Sequence, residues 1–435
     1  GNAYDASIAV AFALAVVLPR AGNIGGGGFM VMFDEALQQS FSIDYREMAP
    51  ESATKSMFLS SDGSVNKRRA TQGVLSIGVP GTVYGMWEVH KKFGSLPWSS
   101  LLAPAIQLAE DGFLISPFMA DALNKRYEKL TKYKNFSRIF YSNYPVKMNQ
   151  RLKQKNLAKT LKIISKNGAK GFYEGDVASK IDAYMKKNGG LITKKDLENY
   201  RPVWRETLQG TFNEYKIISM GPPSSGGVHI IQMLNILENY DLVMMGHNSP
   251  TYTALLTESM KYAYADRSKY LGDPEFFDVP VQSLISKEYA KKINNKIKLN
   301  SITPSEKILP GSELKNESLD TTHFSVADKN GNIVSNTYTL NSGFGSGVVV
   351  DGTGILMNNE MDDFVSAPGV PNQFGLIGGE ANKIEPFKRP LSSMTPTIVL
   401  KDGKPIYATG SPGGSRIITT VLQFLLNTLV FKMEI

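Results

Sequence analysis

Apolar residues recur at helical spacing over residues 81–92, 98–112, 117–131, 227–239 and 251–269, and each stretch is set off by Gly, Pro or Ser. The pattern predicts helices there and makes the first two thirds of the chain helix-rich. The run 6–18 is apolar apart from Ser7, shorter than the ~18–20 residues a membrane span needs, and no basic segment precedes it. It is expected to be a buried helix, neither a span nor a signal peptide. Strands are expected at 29–33 and 40–44. After residue 320 they come in pairs with explicit turn chemistry: 324–329 and 333–339 flank Asn330-Gly331, and 397–400 and 406–409 flank Asp402-Gly403. An antiparallel sheet is expected in this part. The stretch 298–320 is the most polar, breaker-rich connection and is expected to be an exposed loop. There is no internal repeat or low-complexity tract.

Composition narrows the chemistry. The 435 residues are 42% hydrophobic and 20% charged, as in a folded soluble protein, and allow two or three domains or one large layered unit. With no cysteine there is no disulfide framework, thiolate metal site or cysteine nucleophile. The four histidines, at 90, 229, 247 and 323, form no HExxH pair, which argues against a catalytic metal. The net charge is +8, and residues 121–200 hold the excess, with 19 Lys and Arg against 7 Asp and Glu. Lys155, Lys159, Lys162 and Lys166 recur at helical spacing, as on a solvated helix face, and no nucleic-acid reader motif accompanies them. No nucleic-acid partner is expected. The chain begins without Met and stops just after the apolar stretch 417–431, so both ends look like cuts through a longer protein.

Two glycine clusters stand out. Residues 25–28 follow the apolar helix and precede a strand, the reverse of a dinucleotide fingerprint, and no P-loop pattern occurs. Close backbone approach is the expected role there. The second cluster, GSPGGSR at 410–416, lies between a strand and a helix beginning near Ile417. Successive glycine N–H groups in that order can form a concave donor site for an anion or developing oxyanion, and a tight structural turn accounts for them equally well.

The junction of the polar loop with the first late hairpin reads LDTTHFS. A threonine hydroxyl is a poor nucleophile without a base beside it. The α-amino group of an N-terminal threonine titrates near ~7.7–8 and can accept the proton of its own hydroxyl. Thr321 would have this only after scission of the Asp320–Thr321 bond. His323 shares a strand face with Thr321 and stays open as a neighbouring base.

TTHFSVAD, NTYTLNSGFG, NNEMDDF, KRPLSSMTPTIV and GSPGGSR, in order from 321 to 416, closely resemble the small subunit of γ-glutamyltranspeptidase, and AGNIGGGGFM, DYREMAP and GPPSSGG its large subunit. The resemblance covers essentially the whole chain. It implies an α+β fold, the four-layer αββα sandwich of the N-terminal-nucleophile hydrolases, made as a precursor that cuts itself into a large-subunit region, 1–320, and a small-subunit region, 321–435. By position, Thr321 matches the nucleophile and Thr339 the second threonine that supports it. Arg46, Ser392 and Ser393 match the groups that hold the donor's α-carboxylate, and Asn341, Glu360 and Asp363 those that hold its α-ammonium. Gly413 and Gly414 match the oxyanion hole. Phe374 stands in the segment resembling the lid, where some relatives have tyrosine.

Met singly, Arg46 could be a surface ion pair, Ser392-Ser393 a helix cap and Asp362-Asp363 a solvated turn. Together they imply γ-glutamyl transfer from glutathione and related amides to water, an amino acid or a dipeptide, with no cofactor and no membrane span in this chain. Family members are periplasmic, secreted or surface-anchored, and they continue past Ile435 and begin before Gly1. A related amidase such as a glutaryl-type cephalosporin acylase, and a non-catalytic basic binding protein, are the alternatives.

Overall fold

A computed structural model of the chain describes residues 1–299, 301, 303–305, 308 and 321–435. The connection 298–320 lies mostly outside the described residues, and Asp320 with it. The strands are β1 (Gly27–Asp34), β2 (Gln39–Tyr45), β3 (Phe113–Leu114), β4 (Arg151–Leu152), β5 (Val203–Arg205), β6 (Leu208–Phe212), β7 (Tyr215–Ser219), β8 (Thr321–Ala327), β9 (Ile333–Thr339), β10 (Thr397–Lys401) and β11 (Lys404–Thr409). They form a five-stranded sheet in the order β5-β2-β1-β9-β8, a four-stranded sheet in the order β11-β10-β7-β6, and the short pair β3-β4.

The alternation of β1 explains the layers. Phe29, Val31 and Phe33 point to one side and cluster with Ile218, Met220, Met394, Ile398 and Leu400, so the two large sheets stack on this apolar seam. Met30 and Met32 point to the other side and join Ile8 and Phe12 of the helix Ala3–Val17 and Leu101 and Leu102 of the helix Trp98–Asp111. Beyond the second sheet, Ile217 and Val399 meet the helices Gly226–Leu237, Pro250–Tyr270 and Ile417–Leu429. Helix, sheet, sheet, helix is the four-layer αββα arrangement.

The residues at 25–28 act through close approach. A Cβ on Gly26 would lie 2.1 Å from the Thr339 carbonyl oxygen, and one on Gly28 would lie 2.4 Å from that of Thr337. Only glycine lets β1 and the turn before it press this closely on β9. In the β10-β11 hairpin Asp402 and Gly403 have φ of 52° and 77°, the paired left-handed residues that match strand twist. Asp328 Oδ1 accepts hydrogen bonds from the Asn330 and Asn332 amides at 2.8 and 3.1 Å and sets the β8-β9 turn.

Three details differ from the sequence pattern. The stretch 117–131 is two helices, Pro117–Lys125 and Tyr127–Leu130, because Arg126 leaves helical geometry at φ −106° and ψ 9°. Strands β5, β6 and β7 fall where none was expected; β6 and β7 are short and turn at Asn213, whose φ is 50°. The two late hairpins sit in different sheets, β8-β9 in the five-stranded one and β10-β11 in the four-stranded one. In the basic region, Lys155, Lys159, Lys162 and Lys166 are exposed while Leu157, Leu161 and Ile164 are buried, as a solvated helix face requires. No helix among the described residues is long and apolar enough to cross a membrane.

Candidate active site

Thr321 opens β8 directly opposite Thr339, the last residue of β9. Cross-strand partners share a face, and this face looks toward the second sheet, where Ser335 Oγ donates to the Thr409 carbonyl at 3.0 Å. Thr321 therefore stands at a strand end in the seam between the sheets. A small pocket there is lined by Thr321, Thr339, Arg46, Asn341, Glu360, Asp363, Ser392, Ser393 and Gly414. Phe374, Leu376, Met394 and Ile417 complete its wall. Of the residues predicted to act on substrate, only Gly413 lies just beyond this lining.

Arg46 follows β2 and is 1% exposed, so the surface ion pair does not describe it. Its backbone is fixed by Asp44 Oδ1, which accepts from its N–H at 2.9 Å, and by the Tyr200 hydroxyl, which donates to its carbonyl at 2.8 Å. Nε donates to the Pro390 carbonyl at 3.2 Å, Nη1 to Glu360, and Nη2 to Asp363 Oδ2 at 2.5 Å. Glu47 Oε2 lies 3.7 Å from Nη1. One guanidinium thus faces three carboxyl groups. Burial pulls the Arg46 pKa down, but Glu360, Asp363 and Glu47 hold it above the ordinary arginine value. Burial raises Glu360 well above the carboxylate range against the pull of Arg46, and raises Glu47 to about 7. Asp363 is raised by burial as well.

Asn341 adopts φ 75°; its N–H donates to Thr339 Oγ1 at 2.9 Å and its side-chain amide donates to the Asn359 carbonyl at 3.0 Å. Glu360 through Asp363 form one 3₁₀ turn, with Glu360 and Asp362 buried. Asp362-Asp363 is therefore no solvated turn: Asp362 accepts from the Gln373 amide at 3.0 Å and burial pushes it to about 7, while Asp363 Oδ1 accepts from Asn372 at 3.2 Å. Ser392 and Ser393 are buried in irregular backbone between Pro390 and β10, not at a helix start. Ser392 Oγ accepts from the Met394 amide at 3.0 Å.

The second glycine cluster leaves β11, forms the 3₁₀ turn Gly414–Arg416 and enters the helix Ile417–Leu429. Gly413 and Gly414 have φ of 137° and 55°. Among the described residues neither N–H has a protein acceptor. The Phe374 ring covers this turn, since a Cβ on Gly414 would lie 2.7 Å from Phe374 Cδ1. His323 is not in the pocket. Its Nδ1 pairs with Thr337 Oγ1 at 2.8 Å and its Nε2 with Ser325 Oγ at 3.0 Å, and burial lowers its pKa to about 4. It is a neutral ring in the sheet seam, without the placement a base for Thr321 needs.

Three neighbours escaped the sequence reading: Glu47, Tyr264 and Arg267. The signal for Glu47 was its place beside Arg46 in DYREMAP. Tyr264 and Arg267 lie one turn apart on the helix Pro250–Tyr270, where buried Ala263, Ala265 and Ser268 mark the inward side.

The family model described as gamma-glutamyltranspeptidase matches residues 1–435. The chain is 50% identical over 438 residues to the glutathione hydrolase proenzyme of Escherichia coli (strain K12), covering 100% of this chain and 75% of that protein. It is 47% identical over 439 residues to the glutathione hydrolase proenzyme of Pseudomonas sp. (strain A14), covering 100% of this chain and 76% of that protein. The crystal structure of Helicobacter pylori gamma-glutamyltranspeptidase aligns with TM-score 0.70 and 48% identity over 71% of this chain and 89% of that one. A cephalosporin acylase from Bacillus halodurans aligns with TM-score 0.85 and 28% identity over 99% of this chain and 77% of that one. With the match running from the first residue to the last and the αββα layers in place, the chain belongs to the γ-glutamyltranspeptidase family of N-terminal-nucleophile hydrolases.

Proposed function

We propose that the chain is a self-cleaving γ-glutamyl transferase and hydrolase in which Thr321 is the nucleophile. In the precursor, Thr321 Oγ attacks the carbonyl of Asp320, and hydrolysis of the resulting ester leaves fragments 1–320 and 321–435. The freed α-amine then serves as base for the same hydroxyl. Thr321 Oγ attacks the γ-carbonyl of glutathione or a related γ-glutamyl amide, the amine takes the hydroxyl proton, and the N–H groups of Gly413 and Gly414 hold the oxyanion. The α-ammonium then protonates the leaving amine. Water, an amino acid or a dipeptide resolves the γ-glutamyl ester, which makes the kinetics ping-pong. Thr339 supports the nucleophile from the neighbouring strand.

The donor's zwitterion fits the charges of the pocket. Its α-carboxylate meets the Arg46 fork and the hydroxyls of Ser392 and Ser393, and its α-ammonium meets Asn341, Glu360 and Asp363. The observation carrying this reading is that a single pocket gathers both sets of partners around Thr321. Substitution Thr321→Ala tests it. The variant is expected to remain one 47.8 kDa chain without γ-glutamyl turnover; a variant that still splits at residue 320 contradicts the assignment.

A glutaryl-type acylase is the second reading, favoured by the TM-score of 0.85 to the Bacillus halodurans cephalosporin acylase and by 38% identity to an Acylase ACY 1 proenzyme of Pseudomonas sp. (strain SE83). A glutaryl group lacks the α-ammonium, so the buried acids Glu360 and Asp363 favour the γ-glutamyl donor. A periplasmic or secreted location accords with the family resemblance.

A further inference from the structure

We propose that Arg267 is a positioning residue of the donor site: by donating to Ser393 Oγ it leaves the Ser393 hydroxyl proton to be given to the donor's α-carboxylate. This rests on the reading above that Ser393 meets that carboxylate. Arg267 is 4% exposed on the helix Pro250–Tyr270. Its Nε donates to Ser225 Oγ at 3.1 Å and its Nη2 to Ser393 Oγ at 3.3 Å. It forms no ion pair among the described residues. Burial lowers its pKa to about 10, which leaves it a cation at neutral pH.

The direction of these bonds follows from the donor inventory. A guanidinium has N–H groups and no acceptor, while a hydroxyl has one proton and two lone pairs. Both serine oxygens must therefore accept from Arg267. Ser225 spends its own proton on the Ser392 carbonyl, 2.8 Å away. Ser393 donates to no protein group among the described residues, and it lines the pocket. Its proton is thus available on the side where an anion arrives, and accepting from a cation polarises the hydroxyl into a stronger donor. A buried cation is costly; the charge of Asp363 offsets part of that cost, and a donor carboxylate arriving at Ser393 would offset more of it. Tyr264, one helical turn earlier, donates to the Ser415 carbonyl beside the glycine turn. One face of one helix thereby braces both the carboxylate end and the oxyanion end of the pocket.

The test compares two chromogenic γ-glutamyl anilides, one with its α-carboxylate and one with that group converted to a carboxamide, on the processed protein and its Arg267→Met, Arg267→Lys, Ser393→Ala and Arg267→Met/Ser393→Ala variants. The readout is the ratio of kcat/KM for the carboxylate donor to that for the carboxamide donor. Arg267→Met and Ser393→Ala are each expected to lower this ratio about tenfold, with the double variant no worse than Ser393→Ala and Arg267→Lys in between. Lys keeps the charge but reaches one hydroxyl at a time, so it reports on the proposal even where Met prevents folding. An unchanged ratio in Arg267→Met or Arg267→Lys while Ser393→Ala lowers it overturns this inference and leaves the site assignment standing. Losses that multiply in the double variant overturn it as well. An unchanged ratio in Ser393→Ala overturns the site assignment and this inference together.

Discussion

At the residue scale, Arg46 organises the electrostatics. The groups expected to take the donor's ammonium, Glu360 and Asp363, already bond to the group expected to take its carboxylate. The pocket is therefore an internally neutralised cluster, and under the proposed assignment a zwitterionic donor would set each of its charges beside an opposite one. Asp363→Ala and Glu360→Ala are expected to lower kcat/KM for a γ-glutamyl donor about tenfold to a hundredfold more than for the matching glutaryl donor, measured in parallel assays. Glu47 gives a pH prediction. Its carboxyl is raised from 4.5 to about 7, so between those values the folded protein holds a proton that the unfolded chain has released. Stability from this group is full below the lower value and is lost as pH rises through the upper one, at up to ~1.4 kcal/mol per pH unit. Glu47→Gln should therefore shrink the fall in Tm between about pH 5 and about pH 8 in thermal melts. The pocket acids were legible one by one through the family motifs. Their mutual contacts were not, because burial and ion pairing arise only when residues 46 and 360–363 meet in space.

At the scale of elements, close approach of backbones places Thr321. Gly26 lies against the Thr339 carbonyl, and Thr339 is the register partner of Thr321. Gly26→Ala is expected to displace that end of β9, lowering stability by ~1–3 kcal/mol or more and slowing self-cleavage, as read by thermal melts and a time course of fragment appearance. Gly221→Ala, whose Cβ would meet only Leu208 at 4.0 Å, should stay within ~0.5 kcal/mol. The Asn330-Gly331 and Asp402-Gly403 turns announced the hairpins because left-handed residues leave a chemical mark. Strands β5 to β7 left none that strong: they are short, and β5 and β7 are carried by pairing with strands distant in sequence, β2 and β10. Sheet membership also escaped the sequence, since a hairpin's turn fixes its own register but not the sheet its outer edges join.

At the scale of the whole molecule, the two regions predicted to be separated are interleaved. β9 from the later region lies between β1 of the earlier one and β8, and β10 lies between β7 and β11. Scission before Thr321 would leave every strand pair intact. The fragments are expected to co-elute as one species on size exclusion under native conditions and to separate only in denaturant. The excess of positive charge in residues 121–200 plays no part in this seam. It sits on outer helices, where Lys180 pairs with Asp176 and Lys186 with Asp182. The central claim is that Thr321 becomes an amino terminus, and intact-mass measurement of the purified protein tests it most directly. Two species corresponding to residues 1–320 and 321–435 are predicted; a single uncleaved chain that nonetheless turns over glutathione would contradict the account.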